Sequence, residues 1–600
     1  MEHVGAEISR RIWKAKYRYR GEGAIAESWR RIARALAMVE TKDQAAWEQR
    51  FFDILQDFKF LPGGRIQAGA GTERNVTLFN CFVMGPIEDS IPGIFAALEE
   101  GAVTMQQGGG IGYDFSTLRP RGTRAKAVGT VASGPVSFMQ VWDAMCGTIL
   151  STGARRGAMM ATLRCDHPDI EEFIVAKQQP GVLRRFNLSV QITDAFMAAV
   201  EQGAEWPLLF PQATFAGEGE TILREWPGFD DPVPCRVLRR VRARDLWDGI
   251  LRATYEYAEP GVLFVDRINR LNNLWYCERI SATNPCGEIP LPPYGACDLG
   301  SINLTRFVSF PFSPQARLEI EALTETVQVA VRLLDDVIDA SRFPLPQQAE
   351  SAQGTRRIGL GITGLADALL MLGARYGSEE SLNLAREVMS LICHAAYRAS
   401  ITLAEEKGSF TYLDRNKYLK GQFIRRLPED VRDGIAKGGI RNSHLIAIAP
   451  TGTISLLAGN VSSGLEPILA ASYRRKILDE NGEPEELFLT DYAVQLWRET
   501  TSNAKGVPPG FVTVNELLIQ AHLDMQAALQ PFVDNSISKT INVPEDCPFS
   551  EFRQIYDLAY EKGLKGCTTF RPNPVTGVVL SGAEEGAEAP HCCVLEREAD

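Results

Sequence analysis

Several features that would assign this chain to common protein classes are missing. No run of about 18 apolar residues occurs, so the sequence predicts no membrane-spanning helix. The first residues lack the basic and then apolar segments of a signal peptide, and we therefore expect a cytoplasmic protein. There is no Cys-x-x-Cys pair and the six histidines are isolated, so neither a structural zinc site nor a di-iron centre is predicted.

Basic residues are too few to balance the acidic ones, which gives the 600-residue chain a formal net charge of −12. This charge argues against non-specific binding to nucleic acids, although small phosphorylated ligands can still bind at local sites. The hydrophobic fraction of 45% and the charged fraction of 23% are those of an ordinary globular protein. Twelve cysteines are scattered along the chain. In the cytoplasm we expect them to be reduced unless a disulfide takes part in catalysis.

Strand-like and helix-like segments alternate from about residue 75 to residue 570, which predicts an α/β fold around a largely parallel sheet. Residues 1–60 have the pattern of a helical lead-in. Leu318–Ala340 has an amphipathic helical pattern, whose apolar stripe is Ile320, Leu323, Val327, Val331, Leu334 and Ile338. The last twenty residues are small and acidic and carry Cys592 and Cys593, so we expect a mobile tail with two thiols.

The most informative stretch surrounds Cys286, which lies between Asn284 and Glu288. Alternate residues of an extended segment point the same way, so an amide and a carboxylate would share one face with the thiol. Pro285 and Gly287 disfavour a helix and favour an ordered loop. A thiol between a hydrogen-bonding amide and a potential base is a candidate reaction centre. Taken alone, however, the pattern favours an inert buried cysteine.

Two other stretches have the composition of phosphate sites. Arg155 and Arg156 lie in a glycine-flanked loop, and paired arginines suit phosphate recognition, although such loops are often simply solvated. Thr451–Ser455 gathers hydroxyl groups and free backbone N–H groups where a helix should begin. That second pattern fits an anion site and a plain helix cap about equally well.

Taken together, the motifs resemble those of one family, the ribonucleotide reductases, and within it the adenosylcobalamin-dependent class II large chains. The resemblance runs from about residue 60 to residue 572, and its pieces follow one another in the family's order. The pieces are Phe79–Val83, Gly108–Gly112, Ala154–Gly157, Asp166–Asp169, Asn284–Glu288, Ala449–Ser455, Asp534–Lys539 and Gly566–Thr569.

The resemblance implies a ten-stranded α/β barrel made of two five-stranded parallel halves. A finger loop, here the stretch around Cys286, would carry the radical cysteine into its centre. We accordingly predict a helical segment at 1–60, the barrel at 61–575 and a flexible acidic tail at 576–600.

The resemblance also implies roles for individual residues. Cys286 would become a thiyl radical, Glu288 would take the proton of the 3′-hydroxyl group, and Asn284 would bind the sugar hydroxyls. Cys81 and Cys297 would donate electrons and close to a disulfide. Substrate contacts are expected from Asn80, Gly109, Gly110, Pro450, Thr451, Gly452, Thr453 and Ser455.

The remaining implied sites concern regulation and re-reduction. Asp143, Arg155, Arg156 and Lys177 fall where this family binds a deoxynucleotide or ATP effector, normally at the interface of a homodimer. Cys592 and Cys593 would re-reduce the internal disulfide and exchange with thioredoxin or glutaredoxin. Their adjacency departs from the spaced pair of the family. Ile66 stands where a substrate-binding threonine is usual, and Asn80 stands where serine or alanine is more familiar.

Adenosylcobalamin is the radical source that the sequence favours. A glycyl-radical enzyme would carry a C-terminal glycine-radical segment, and a class I large chain would usually carry a pair of adjacent tyrosines; neither is found. We expect diphosphate substrates, by similarity to the longer, dimeric members. Two alternatives stay open: a class I-type chain that needs a metal-bearing radical subunit, and an inactive nucleotide sensor on the same fold.

Overall fold

The computed structural model describes residues 5–124, 131–151, 155–179, 181–478, 484–501, 506–572 and 580–582. Its central feature is a ten-stranded sheet. In chain order its strands are β1 (Phe60–Pro62), β2 (Cys81–Val83), β3 (Gly110–Asp114), β4 (Met159–Arg164), β5 (Phe186–Ile192), β6 (Gly261–Phe264), β7 (Ala296–Asn303), β8 (Ile358–Thr363), β9 (Thr540–Asn542) and β10 (Gly566–Phe570).

The sheet has two parallel groups of strands. In the first, β2, β3, β4, β5 and β6 pair side by side in parallel. In the second, β7 pairs in parallel with β8, and β9 with β10. Antiparallel pairs join the groups at β2–β7 and at β6–β10, while the short β1 pairs antiparallel with β7. These strands confirm the predicted α/β fold with two parallel halves.

Backbone pairing also continues past β8. Isolated parallel bridges link Leu360 to Ile446 and Ile448 to Ile537. Ile537 lies three residues before β9, so the pairing leads from one edge of the sheet back to the strand at its other edge. Counting residues 446–448 as a strand, the second half has five members, as predicted.

Helices cover the sheet. They are α1 (Ala6–Ile12), α2 (Ile25–Ala37), α3 (Gln44–Leu55), α4 (Gly64–Gly69), α5 (Ile91–Gln106), α6 (Pro135–Thr148), α7 (Ile170–Ile174), α8 (Asp194–Gln202), α9 (Ala243–Tyr257), α10 (Val265–Arg270), α11 (Ile320–Ala340), α12 (Pro346–Thr355), α13 (Leu365–Met371), α14 (Glu379–Lys407), α15 (Arg415–Tyr418), α16 (Glu429–Gly438), α17 (Gly452–Leu457), α18 (Tyr492–Thr501), α19 (Ile519–Leu529) and α20 (Phe549–Glu561). In the part of the chain that the structure describes, no helix is long and apolar enough to span a membrane.

The predicted amphipathic helix is α11, which packs against α14 and β7. Five of the six predicted stripe residues are buried, but Ile320 is 57% exposed. Ile320 is the first residue of the helix, so its side chain lies beyond the surface that α14 and β7 cover. The periodicity identified the buried face of the helix correctly, but it could not predict where the contacts with α14 and β7 end.

The structure also contains smaller sheets. They are Glu205–Pro211 with Val233–Arg242 and Thr221–Arg224, Ser472–Leu478 with Pro484–Thr490 and Leu580–Gly582, Val308–Ser309 with Arg317–Leu318, and Leu150–Ser151 with Arg155–Arg156. The finger loop, residues 281–295, contains a two-stranded hairpin of Ala282–Thr283 and Pro290–Leu291. The hairpin contacts β2, β3 and β4 of the first half. Ser536 N in the second half donates to Glu288 O at 2.9 Å, so the finger loop lies between the halves.

Candidate active site

The tip of the finger loop has an ordered backbone. Asn284 N donates to Ile289 O at 3.1 Å, and Ile289 N donates back to the Asn284 side-chain oxygen, Oδ1, at 3.0 Å. Gly287 N donates to Asn284 O at 3.2 Å, and Gly287 has a φ of +84°, which an L side chain rarely adopts. Pro285 and Gly287 therefore lie in a tight turn, as these residue types predict.

The two cysteines predicted to exchange electrons lie directly opposite each other. Cys81 in β2 and Cys297 in β7 are partners in the antiparallel register, and both are free thiols. Opposite residues of an antiparallel pair have Cα atoms about 4.5–5.5 Å apart, which is within the range that a disulfide bridges. The pair belongs to the β2–β7 seam between the two parallel halves.

The finger loop brings two more predicted residues to this seam. The Asn284 amide, through Nδ2, donates to Cys81 Sγ at 3.2 Å. Cys81 Sγ donates to Glu288 Oε1 at 3.9 Å. Asn284, Glu288 and both thiols are buried. Residues from three distant parts of the sequence thus form one cluster of two thiols, one amide and one carboxyl.

Burial disfavours charge on the groups of the cluster. It raises the pKa of Glu288 to about 7, and hydrogen bonds from Asn284 and Cys81 only partly offset this effect. Burial, reinforced by the nearby Glu288 carboxylate, raises the pKa of Cys81 well above that of a free thiol. Burial and the neighbouring Asp298 do the same to Cys297. The two thiols therefore carry their protons at neutral pH, while Glu288 can exchange its proton there.

Cys286 has a different environment. It is only half-buried, and it lines a cavity of about 480 Å³ together with Pro450, Gly452 and Ser455 of the predicted substrate turn. Asn284, Glu288, Cys81 and Cys297 do not belong to the lining of this cavity. Cys286 is nevertheless only two residues from Asn284, whose amide donates to Cys81 Sγ at 3.2 Å. Cys286 therefore connects the buried cluster with the open cavity.

The turn at Thr451–Ser455 is the start of α17. Ser455 N makes the first helical hydrogen bond, to Thr451 O at 2.9 Å, so the preceding N–H groups point out of the helix. Thr451 has a left-handed backbone, and its hydroxyl accepts from Gly464 N at 2.8 Å. Thr453 is buried. The hydroxyl of Thr451 thus shapes the turn, while Gly452 and Ser455 face the cavity.

Asn80, Gly109 and Gly110 are in close packing beneath the finger loop and do not line the cavity. Asn80 is buried, and its backbone oxygen accepts from Gly110 N at 2.8 Å. A Cβ atom at Gly109 would come 2.6 Å from the Phe82 ring, and one at Gly110 would come 3.2 Å from Pro285 Cγ. These glycines let β3, β2 and the finger loop approach one another. Ile66, at the unusual position noted above, is buried in α4.

The residues predicted for effector binding partly converge. The Asp143 carboxylate accepts from Arg185 N at 2.9 Å, and Lys177 Nζ donates to the oxygen of the next residue, Phe186, at 2.6 Å. Lys177 also pairs with Glu259 at 2.5 Å. Arg155 and Arg156 form a short strand paired with Leu150–Ser151. The tail thiols Cys592 and Cys593 lie outside the described residues.

Several residues that the sequence analysis missed hold the finger loop from outside. Thr162 Oγ1 donates to Ser281 O at 2.9 Å, and Asn187 Nδ2 donates to Pro285 O at 2.8 Å. The buried Arg357 donates to Pro290 O at 3.2 Å and to His444 Nδ1 at 3.2 Å. The sequence around a polar residue in a strand does not indicate which loop that residue will contact, so only the fold identifies these partners.

A second cavity is separate from the one that Cys286 lines. It has a volume of about 1040 Å³ and lies at the carboxyl ends of the first parallel half, beside Val83, Asp114 and Arg164. None of the predicted site residues lines it. The half-buried Cys286 thiol opens onto the cavity of about 480 Å³ and does not line this second cavity.

Comparisons with known proteins identify the family of the chain. The family described as "Ribonucleotide reductase, barrel domain" matches residues 79–570, and "Ribonucleotide reductase, all-alpha domain" matches residues 5–75. The vitamin B12-dependent ribonucleoside-diphosphate reductase of Mycobacterium tuberculosis (strain CDC 1551 / Oshkosh) is 38% identical over 93% of this chain and 76% of its own length. Its namesake from Thermoplasma acidophilum is 36% identical over 92% of this chain and 69% of its own length.

A more distant relative is the ribonucleoside-diphosphate reductase subunit alpha of Chlamydia pneumoniae. It is 26% identical over 92% of this chain and 57% of its own length. The barrel match covers most of the chain, and the nearer relatives align along almost all of it. The chain therefore belongs to the ribonucleotide reductase family.

Proposed function

We propose that this chain reduces ribonucleotides, in the form of diphosphates, to 2′-deoxyribonucleotides by thiyl-radical chemistry that starts from adenosylcobalamin. The observation that carries the proposal is the convergence of Cys81, Cys297, Asn284 and Glu288 behind Cys286, which faces an open cavity. A nucleotide sensor would have no use for two opposed thiols and a buried carboxyl beside a third thiol.

In the proposed mechanism, each residue has one role. Cys286 removes the 3′ hydrogen atom of the ribose, Asn284 binds the sugar hydroxyls, and Glu288 accepts the 3′-hydroxyl proton. Cys81 and Cys297 supply two electrons and two protons while their sulfur atoms join, so that the 2′-hydroxyl group leaves as water. The 3′ hydrogen atom then returns to the sugar and the Cys286 thiyl radical is restored. The net change converts ribonucleotide and dithiol into deoxyribonucleotide, disulfide and water.

The cavity beside Cys286 suits both a nucleotide and the nucleoside part of adenosylcobalamin. Its volume of about 480 Å³ is that of a typical ligand site. Glycines, which have no side chain to fill the space, form part of its wall. Gly452 has no atom within 4 Å of its missing Cβ position. Ser189, Ser538 and Thr568 place hydroxyl groups along the wall, and we assign to them the contacts with the cofactor. When bound, adenosylcobalamin supplies the radical that converts the Cys286 thiol into a thiyl.

The helix start at Pro450, Thr451, Gly452, Thr453 and Ser455 is proposed to hold the substrate phosphates. The outward N–H groups favour an anion there. Asn80, Gly109 and Gly110 would support the site from below by keeping β2, β3 and the finger loop together, with only indirect effects on substrate.

The decisive experiment uses the purified chain, a ribonucleoside diphosphate, a dithiol and adenosylcobalamin, with no second protein. We expect deoxynucleotide only when the cofactor is present, and none from Cys286→Ala. Cys393→Ala, which alters a buried thiol in α14, should remain active. Activity that required a metal-bearing subunit would favour a class I-type chain, and no activity in either assay would favour a sensor.

A second copy of the chain is the proposed partner at the face of α5 and α6. Ile91 and Phe95 on α5 are 59% and 51% exposed, and Val141 on the neighbouring α6 is 36% exposed. Asp143 belongs to α6, so a dimer through this face would place the proposed effector site, with Arg155, Arg156 and Lys177, near the interface. Light scattering should find a dimer for the wild type and a monomer for Phe95→Asp. A dimer that survived this change would remove the proposal.

Deoxynucleotides or ATP are the proposed effectors, and thioredoxin or glutaredoxin is the proposed reductant of the tail. An effector should change the preference among the four substrates, and Asp143→Ala should weaken that response. Removing the tail after residue 582 should abolish turnover with thioredoxin and keep turnover with a small dithiol. Equal loss with both reductants would argue against a relay through Cys592 and Cys593.

A further inference from the structure

The position of Cys286 depends on more than the finger loop itself. The hydrogen bonds inside the tip join Asn284 to Gly287 and to Ile289. These bonds keep the shape of the turn, but a correctly shaped turn can still move as a body relative to the barrel. Hydrogen-atom transfer needs the reacting atoms in near contact, so the position of the tip must be set by groups outside it.

Asn187 is such a group. It is the second residue of β5, in the first parallel half, and its Nδ2 donates to Pro285 O at 2.8 Å. Asn187 also lines the cavity onto which Cys286 opens. On another side, the bare backbone of Gly110 in β3 faces the Pro285 ring, since a Cβ there would be 3.2 Å from Cγ. Pro285 is thus held between two strands of the barrel.

The contact is made to the peptide unit that carries the radical residue. The carbonyl of Pro285 and the nitrogen and Cα of Cys286 belong to one planar amide, which cannot twist without a large cost. A hydrogen bond that fixes the direction of the Pro285 carbonyl therefore also fixes the Cα of Cys286. No bond within the tip can do this relative to the barrel, whereas an amide on β5 can.

We propose that Asn187 is a positioning residue for the radical step: its side-chain amide holds the Pro285–Cys286 peptide, and so the Cys286 sulfur, at the distance that hydrogen abstraction requires. This inference rests on the proposed function. Asn187 acts through the backbone and not on the sugar, so its loss should lower kcat and leave KM unchanged.

The test compares three variants. Asn187→Leu has a similar size but cannot donate a hydrogen bond, and we expect kcat to fall at least tenfold with KM within twofold of the wild type. Asn187→Gln keeps the carboxamide and should recover most of the rate. Asn383→Asp, an exposed position on α14, is the control and should match the wild type. If the leucine variant does not fold, Asn187→Asp, of equal size and without a donor when ionised, replaces it.

A second readout needs neither substrate nor cofactor. Alkylation of Cys286 by iodoacetamide, followed by peptide mass mapping, is compared with that of the exposed Cys277 in the same sample. We expect Asn187→Leu to change the ratio of the two rates at least threefold, and Asn187→Gln to restore it.

An unchanged alkylation ratio, an unchanged kcat, or a rise in KM at constant kcat would each overturn the inference. The last outcome would make Asn187 a substrate contact. Failure of the wild-type chain to reduce nucleotides would overturn the proposed function instead, and the alkylation comparison would still report on the role of Asn187.

Discussion

At the residue scale, Glu288 shows how burial changes the proton affinity of a carboxyl group. One carboxylate oxygen, Oε1, contacts Cys81, while Oε2 is buried with no hydrogen-bond partner among the described residues. Burial raises the pKa of this carboxyl to about 7. A base with a pKa near the working pH is partly ionised and still binds a proton readily. Removal of a hydroxyl proton requires both properties. In the proposed mechanism, this second oxygen, Oε2, is the one that accepts the substrate proton.

The pKa of Glu288 predicts a pH dependence of the reaction. The base must be ionised, so kcat/KM should rise with pH through about 7. Glu288→Gln should lower kcat by at least about 10²-fold and remove this rise. A rate profile from pH 6 to pH 8.5 measures both effects. An inflection that persisted in the glutamine variant would assign the titration to another group.

The same carboxyl predicts an opposite trend in stability. Between pH 4.5 and about 7 the native state holds a proton that the unfolded state has released, so the free energy of unfolding falls as pH rises through this window. Glu288→Gln should weaken this fall and should unfold at pH 8 no more easily than the wild type. Urea unfolding at several pH values tests this, and a less stable glutamine variant at pH 8 would contradict it.

Cys81 and Cys297 lead to a prediction about oxidation. Because they are cross-strand partners, diamide should link them to each other without movement of the strands. Peptide mapping should find this disulfide, and Cys81→Ser should abolish both the link and turnover. Cys393, buried in α14, is the comparison and should stay reduced. A product in which Cys81 is linked to a different thiol would contradict the assignment.

At the scale of elements, the finger loop depends on the bare backbone of β3. A Cβ atom at Gly112 would overlap the carbonyl oxygen of Thr283, at the stem of the hairpin. The loop can therefore lie against β3 only because that residue is glycine. A side chain there must push the hairpin, and with it Cys286, away from the first half.

Gly112→Ala should accordingly lower the free energy of unfolding by about 1–3 kcal/mol and reduce kcat more than tenfold. Gly249→Ala in α9 is the matched control, because no atom lies within 4 Å of its missing Cβ. That helical substitution should be neutral or stabilising by up to about 1 kcal/mol. Denaturant unfolding and the standard assay measure both variants. Equal behaviour of the two would show that the hairpin can shift freely.

At the scale of the whole molecule, the helical N-terminal region is joined to the barrel through buried charges. Glu40, just after α2, accepts from Arg332 Nε of α11 at 2.5 Å and from Lys407 Nζ of α14 at 2.9 Å. Lys407 also donates to Asp336 at 2.6 Å. Burial alone would raise the pKa of Glu40, but hydrogen bonds from Arg332 and Lys407 outweigh it and lower the pKa to about 2.

Glu40→Gln should reduce the free energy of unfolding by about 1–3 kcal/mol, since it removes one of the two carboxylates that pair with each of Arg332 and Lys407. The stabilisation is present above pH 4.5 and is lost as pH falls toward 2, because the folded state then has to give up an ionised carboxylate. Glu73→Gln, at an ion pair whose side chains are 80% and 82% exposed, is the control and should change stability by less than about 1 kcal/mol. Similar losses in both variants would disprove the buried link.

Much of this protein could be read from local sequence. Apolar periodicity located α11 and the alternation of strands and helices, because such patterns depend on neighbours a few residues away. Pro285 and Gly287 indicated the turn at Cys286, since proline restricts the backbone at its own position and glycine gives it more freedom. Asn284, Cys286 and Glu288 were recognisable as a group because they lie within five residues of one another.

The tertiary structure decided what depends on distant residues. It set Cys81 opposite Cys297, raised the pKa of Glu288 by burial, and brought Asn187 to the Pro285 carbonyl. It also showed that Gly109 and Gly110 serve packing. Cross-strand register and burial arise only when segments hundreds of residues apart assemble, and no single segment encodes which partner it will meet. The sequence by itself therefore determined the reactive groups, and the assembled barrel determined which of them can react together.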